Sequence, residues 1–278
     1  MTEFEFLQTY DISQYPRPSV TADILTFALS RNQKDVRRIP IDGIQVLLVK
    51  RAEHPSMGKW ALPGGFVQPH ESVQQAAHRV LQTETGITTE LQLINTYSGI
   101  DRDPRGWIIS NAFYGIIDKQ NCILRTDDTA WETAWFTLVE HEVKQVDGHA
   151  DQTLHRYYFE SETDSFLIQT IVTKQWTGNC FTHQTRLISS ELAFDHDLIL
   201  FETIQELTQT LKHDLRPLFR FFPETFTIRE LQTVYELLTE TQHVNFRRTI
   251  QPYVIETDEE VVAGYRPPKL YKRNLDAF

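Results

Sequence analysis

The segment from Trp60 to Ile87, WALPGGFVQPHESVQQAAHRVLQTETGI, limits the possible folds of this chain more than any other. Gly64 and Gly65 carry no Cβ, so backbone there can come close to a ligand. From Glu71 to Thr85 the apolar residues Val73, Ala76, Ala77, Val80 and Leu81 recur three to four apart, which is helical spacing, and Gly86 stops the helix at a typical C′ position. A glycine turn feeding a helix points the first amide groups of that helix at a common spot where phosphate oxygens can be held. Taken alone, the same pair of glycines is equally an ordinary strand-to-helix turn.

The flanking sequence alternates as strands do. Val20–Leu29 and Ile44–Val49 are rich in β-branched and apolar residues and are separated by a polar stretch, Ser30–Gly43. Leu91–Tyr97, Trp107–Ile117 and Thr133–Phe136 read as further strands after the helix, and the chain before Val20 reads as irregular. Weaker alternation in Arg156–Phe159 and Phe166–Thr173, with turns at Gly148 and Gly178, suggests a β-hairpin arm inserted over about residues 142–190. A long helix begins at Asp195, carrying Leu200, Ile204, Leu207 and Leu211 on one stripe until Pro217. Thr227 and Glu230 have capping-box spacing ahead of Leu231, Val234, Tyr235 and Leu238. A short helix with Arg247 and Arg248 and a hairpin carrying Arg266, Lys269, Lys272 and Arg273 complete the order of a winged helix-turn-helix.

Composition excludes several classes. A chain of 278 residues with 40% hydrophobic content folds around an ordinary core, and no segment approaches the roughly 20 apolar residues of a membrane span. With early acids and no apolar leader region, a cytoplasmic protein is expected. Cys122 and Cys180 are expected to be buried thiols rather than a bridge. The net charge of −11 argues against bulk electrostatic coating of nucleic acid, and the segment 224–278 holds nine acids against seven bases. Any DNA contact must therefore come from a local patch. The candidate contacts are Arg247 and Arg248 on the short helix, and Arg266 and Lys269 on the wing. A paired arginine on a helix is also what a solvated face looks like, and short winged domains also serve as docking or dimerisation modules.

Gly65, five residues, Glu71, seven residues, Arg79, and then Glu84, Gly86 and Ile87 together resemble the Nudix box. That resemblance implies a loop-helix-loop whose helix presents three glutamates, spaced i, i+3 and i+4, to magnesium ions on a pyrophosphate. Those positions here are Val80, Thr83 and Glu84, so only Glu84 keeps a carboxylate. Glu71 and Arg79 keep the residues that the resemblance assigns to pairing across the loop. Mg²⁺ is then open to this chain only as a weakly bound ion, with Asp101 or Glu132 as substitute carboxylates; no other cofactor is expected. The run LLVKRAEHPSMGKWALPGGFV and Asp101-Arg-Asp-Pro-Arg-Gly106 are similar to the ADP-ribose-handling branch of the superfamily. Arg51, Arg102 and Arg105 are accordingly candidate contacts to diphosphate or ribose, beside Gly64 and Gly65; salt bridges to Asp101 and Asp103 are the alternative. Trp60 reads as core rather than as a stacking platform.

From Leu192-Ala-Phe-Asp-His196 to Gly264-Tyr-Arg-Pro-Pro-Lys-Leu-Tyr271 the chain resembles the Nudix-related transcriptional regulators. The fold this implies is α+β: a Nudix α/β/α sandwich over residues 1–196 with the inserted arm, a connecting helix over 197–221 and a winged helix over 222–278. The implied function is a dimeric regulator that binds double-stranded DNA and takes ADP-ribose or a related nucleoside diphosphate derivative as effector. Two rivals stay open: a Nudix hydrolase whose C-terminal unit serves dimerisation, and a catalytically silent binding protein with a protein partner.

Overall fold

A computed structural model describes residues 1–31, 41–86, 88–117, 119, 122, 124, 130–177, 180–260 and 268–278. The polar stretch between the first two strands therefore lies mostly outside the described residues, as do Gly178 and Arg266. The elements run α1 (Glu3–Thr9), β1 (Ser19–Arg31), β2 (Ile41–Arg51), β3 (Trp60–Ala61), β4 (Gly64–Phe66), α2 (Val73–Thr85), β5 (Gln92–Tyr97), β6 (Ile108–Ile116) and β7 (Ala130–Val146). They continue β8 (His149–Glu160), β9 (Ser165–Thr177), β10 (Cys180–Leu187), α3 (His196–His213), β11 (Thr225–Phe226), α4 (Ile228–Thr239), α5 (Phe246–Ile250), β12 (Val254–Glu260) and β13 (Lys269–Arg273).

Among the described residues ten strands form one sheet in the order β10-β9-β8-β7-β2-β1-β6-β5, with β3 on β2 and β4 on β1. β1 pairs parallel with β6 and antiparallel with β2. It is buried on both faces. Ala22 and Ile24 pack against Ala76, Ala77, Val80 and Leu81 of α2, while Leu25, Phe27 and Leu29 face the opposite way into the largest core. The arm over residues 142–190 is a meander that hydrogen-bonds onto β7 and carries the sheet onward, with β7, β8, β9 and β10 antiparallel in turn. Gly148 makes its first turn at φ 76°.

α2 begins where its side chains can satisfy its own amides. Ser72 Oγ accepts from Gln75 N–H at 3.2 Å, and the Gln75 side chain accepts from Ser72 N–H at 2.7 Å. Gly86, at φ 69°, ends the helix in the left-handed conformation that favours glycine. Thr227 and Glu230 make the same reciprocal cap at α4, worth about 0.5–2 kcal/mol.

α3 joins the two units. Leu200, Ile204, Leu207 and Leu211 are buried in the same core as Leu231, Val234 and Leu238 of α4 and as Phe27 and Val46 of the main sheet. Thr208 Oγ1 donates to the Leu238 carbonyl at 2.8 Å, Arg31 pairs with Glu230 at 3.2 Å, and His141 of β7 pairs with Glu240 at the end of α4. The C-terminal unit is thus packed onto the sheet, with β11, β13 and β12 forming its small antiparallel sheet. No helix among the described residues is long and apolar enough to cross a membrane. Cys122 is a half-buried free thiol whose pKa burial pushes up; the Cys180 side chain lies outside the described residues.

Candidate functional site

The glycine turn, α2, the loop after β5 and the start of α3 enclose a cavity of about 400 Å³. Gly64, Gly65, Arg51, Arg102, Arg105, Arg79 and Glu84 all line it. Gly64 has no room for a larger residue, because a Cβ there would run into the Asp23 carboxylate; at Gly65 it would meet Val80 Cγ2 at 3.1 Å. Glu71 and Arg79 form the ion pair, at 2.6 Å, and Arg79 also donates to the Phe66 carbonyl at 3.0 Å, so the pair ties α2 to the glycine strand.

The arginines are held in different ways. Arg51 donates from Nε to the Pro55 carbonyl at 2.8 Å and lies over the Phe194 ring, 4.9 Å from its centroid. Arg105 lies between two rings, 5.1 Å from Phe66 and 5.2 Å from Phe194, and pairs with Asp103 at 2.7 Å. Burial alone would raise the Asp103 pKa, but the Arg105 hydrogen bonds outweigh it and hold the carboxyl below its usual range. Burial lowers the Arg51 pKa, and neighbouring Arg105 adds to that. Arg102 is placed differently: its side chain is 5% exposed, and its Nε and Nη2 donate to the two Asp195 oxygens at 2.9 and 2.6 Å. Its partner is thus Asp195, the residue just before α3, not Asp101 or Asp103.

Several residues of this site went unremarked in the sequence. Asp23, on the buried central strand, accepts from Ser110 and sits 3.9 Å from both Arg102 and His196. Burial raises its pKa, against the lowering by the Ser110 hydrogen bond and the nearby arginines. His196 Nδ1 accepts from Leu62 N–H at 2.8 Å, which leaves Nε2 as the protonated nitrogen of a neutral ring, and burial lowers its pKa to about 4. Phe194, at φ 57°, is in left-handed backbone that bulky residues rarely adopt. It is held there by the Ala193 N–H to Trp60 carbonyl bond at 2.8 Å and by the two arginines. Trp60 itself is core, with Nε1 donating to Asp164 at 2.8 Å.

The donor set does not fit a magnesium ion. Among the described residues no group of three or more His, Cys, Asp or Glu is placed to hold a metal. Val80 is buried against Ala76 and Ala77, Thr83 spends its hydroxyl on the Arg79 carbonyl at 2.9 Å, and Asp23 and Asp103 are committed to Ser110 and Arg105. Asp101 is exposed outside the cavity lining, and Glu132 lines a different hollow, where it accepts from Thr163 at 3.2 Å. Neither substitute carboxylate lines the cavity that Glu84 lines.

His196 and Asp197 give the site opposed pH dependences. Burial lowers His196 to about 4, so the unfolded chain takes up a proton that the folded one refuses, and stability is lost as pH falls from 6.5 toward 4. Burial raises Asp197 to about 6, so the folded chain keeps a proton that the unfolded one releases, and stability is lost as pH rises from 3.8 toward 6. Each contributes a slope of at most about 1.4 kcal/mol per pH unit. Calorimetric melting between about pH 4 and 6 should show a steeper acid-side fall in Asp197→Asn than in the unsubstituted protein, and a shallower one in His196→Gln; parallel curves for all three contradict the assignment.

At the far end of the molecule Arg247 and Arg248 are exposed on α5. Arg247 Nη2 donates to Tyr271 Oη at 3.3 Å, Tyr271 Oη donates to Glu256 at 3.3 Å, and Lys269 pairs with the same Glu256. The short helix and the wing are therefore joined by one polar chain, and Lys269 carries its own counter-charge.

Residues 32–157 match the NUDIX domain family, and residues 218–273 match the NrtR DNA-binding winged helix domain. The ADPR responsive transcriptional repressor NtrR of Acinetobacter baylyi is 27% identical across all of this chain and 90% of its own length. Over 36% of this chain and 62% of the relative, an ADP-ribose pyrophosphatase of Methanocaldococcus jannaschii is 41% identical. The crystal structure of Shewanella oneidensis NrtR complexed with a 27mer DNA superposes with a TM-score of 0.62 at 25% identity, over 93% of this chain and 94% of that one. The order of the two units coincides with these matches: the chain carries a NUDIX domain followed by an NrtR-type winged helix.

Proposed function

We propose that this chain is a metabolite-responsive transcriptional regulator, in which the cavity binds ADP-ribose or a related nucleoside diphosphate derivative and the winged helix binds double-stranded DNA. The observation that carries this reading is the cavity itself, where Arg51 and Arg105 stand over Phe194 beside a close-packed glycine turn while the metal-binding carboxylates of the box are reduced to Glu84. Planar guanidinium groups in a hollow of this size suit a diphosphate, and the lost carboxylates suit a protein that holds its ligand without consuming it. The similarity to an ADPR responsive repressor along the whole chain supports the choice of effector. DNA contact falls to Arg247 and Arg248, with Lys269 and Arg266 steadying the wing on phosphate, in a homodimer on two half-sites. Calorimetric titration with ADP-ribose tests the first half; millimolar ligand without heat of binding contradicts it.

Glu84 and the similarity to an ADP-ribose pyrophosphatase favour a second reading, hydrolysis of the same ligand. The two readings part on one assay. The regulator reading expects negligible magnesium-dependent release of AMP from ADP-ribose; robust release that Glu84→Gln abolishes would establish the hydrolase instead.

A further inference from the structure

The first turn of α3 is built into the cavity wall. Phe194 and His196 line the cavity, and Asp195 between them holds one edge of the Arg102 guanidinium, Nε and Nη2, through hydrogen bonds of 2.9 and 2.6 Å. His196 takes the Leu62 amide at 2.8 Å, and Ala193 reaches the Trp60 carbonyl at 2.8 Å, so the segment is fastened to the strand that leads into the glycine turn. About 20 Å along the same helix, Thr208 bonds the Leu238 carbonyl of α4, and Leu207 and Leu211 are packed in one core with Leu231 and Leu238. A straight, packed helix transmits displacement at one end to the other, because its backbone hydrogen bonds and close-packed neighbours resist deformation.

We infer that the Arg102–Asp195 pair is a latch between the cavity and the winged helix, opened when an anionic diphosphate competes with Asp195 for the Arg102 guanidinium. The chemistry is exchange of one anion for another at a single guanidinium. Both the Asp195 carboxylate and a phosphate group offer two oxygens at the spacing an arginine fork prefers, and Arg102, 5% exposed, has little room to hold the two anions side by side. Losing its hold on Arg102 leaves the start of α3 fastened through His196 and Ala193 without its ion pair, so it can shift, and the movement reaches α4 through Thr208 and the leucine core. Linkage makes the effect reciprocal: ligand and DNA then change one another's affinity by the same factor, typically about 5–150-fold.

This inference rests on the regulator reading for its ligand but not for its latch, and the test separates the two. Asp195→Asn removes the charge that holds Arg102 and leaves an oxygen as acceptor; Thr208→Val breaks the other end of α3 without touching the cavity. Hydrogen exchange across α3 and α4, which needs neither ligand nor DNA, is read beside gel-shift affinity for a fragment from the gene's own upstream region, with and without ADP-ribose. Ligand-free Asp195→Asn is expected to match the ADP-ribose-saturated protein in α4 exchange and in DNA affinity, and to bind ADP-ribose more tightly than the unsubstituted protein does. Thr208→Val is expected to bind ADP-ribose normally and to lose most of the DNA response. A folded Asp195→Asn protein with unchanged α4 exchange and DNA affinity overturns the latch, whatever ADP-ribose does. If Asp195→Asn fails to fold, an undiminished response in Thr208→Val overturns it. An unsubstituted protein indifferent to ADP-ribose, beside an Asp195→Asn protein with altered α4 exchange, discards that effector and keeps the latch.

Discussion

Replacing Arg247 and Arg248 together with alanine is expected to abolish specific DNA retention. Each base-reading arginine is worth about 1–3 kcal/mol of discrimination, so the pair amounts to roughly 2–6 kcal/mol, or on the order of 30-fold to 10⁴-fold in affinity. The effect is large because little else attracts DNA: the chain carries a net charge of −11, and Lys269 is already paired with Glu256. Arg247→Ala also breaks the bond to Tyr271 that joins α5 to the wing. Lys269→Ala should act differently, weakening all sequences alike and flattening the salt dependence by about one unit. Gel shifts across a salt series measure both. If the double variant retains every fragment as the unsubstituted protein does, the C-terminal unit is a docking or dimerisation module.

A comparable loss is expected in the cavity. Each charge-assisted hydrogen bond to a diphosphate contributes about 1.5–3 kcal/mol, so removing Arg51 and Arg105 together should weaken ADP-ribose binding by roughly 10²-fold to 10⁴-fold. Arg105→Ala alone would strand the Asp103 side chain, which is 3% exposed, so the comparison is made on an Asp103→Asn background that removes the orphaned charge. Calorimetry on the Asp103→Asn protein and on the triple variant isolates the arginines; equal affinities contradict their role as ligand contacts.

The legible and illegible parts of this molecule differ by how local their causes are. The helix α2 and its glycine turn could be read because spacing, cap and stop all fall within residues 60–87, and β1 because nine consecutive residues from Thr21 to Leu29 are buried. α1 escaped because it buries none of its residues against any other described residue; its one signal is the Thr2 and Glu5 cap. β10 escaped because Cys180–Leu187 lies at the sheet edge with no apolar alternation. In the cavity, the residues from the box and from the adjoining arginine motif were visible, but Asp23, Phe194 and His196 were not. Asp23 lies on β1 opposite Gly64, a pairing made only by the fold, and Phe194 and His196 reach the cavity only because the apolar stripe of α3 docks across the sheet, a non-local event. The acidic and titratable run Asp195-His196-Asp197 at the head of an amphipathic helix was the available signal. Arg102 shows the converse, a residue recognisable as part of the site whose partner, Asp195, lies 93 positions away.

The central claim is that occupancy of the Nudix cavity changes how the winged helix binds DNA. The direct measurement is the affinity for a fragment of the gene's own upstream region, titrated by fluorescence anisotropy at fixed salt with and without saturating ADP-ribose. A shift of about fivefold or more, absent in the Arg51→Ala/Arg105→Ala variant on the Asp103→Asn background but present in Asp103→Asn alone, is the predicted result. Tight ADP-ribose binding with identical DNA affinity in its presence and absence would contradict the account.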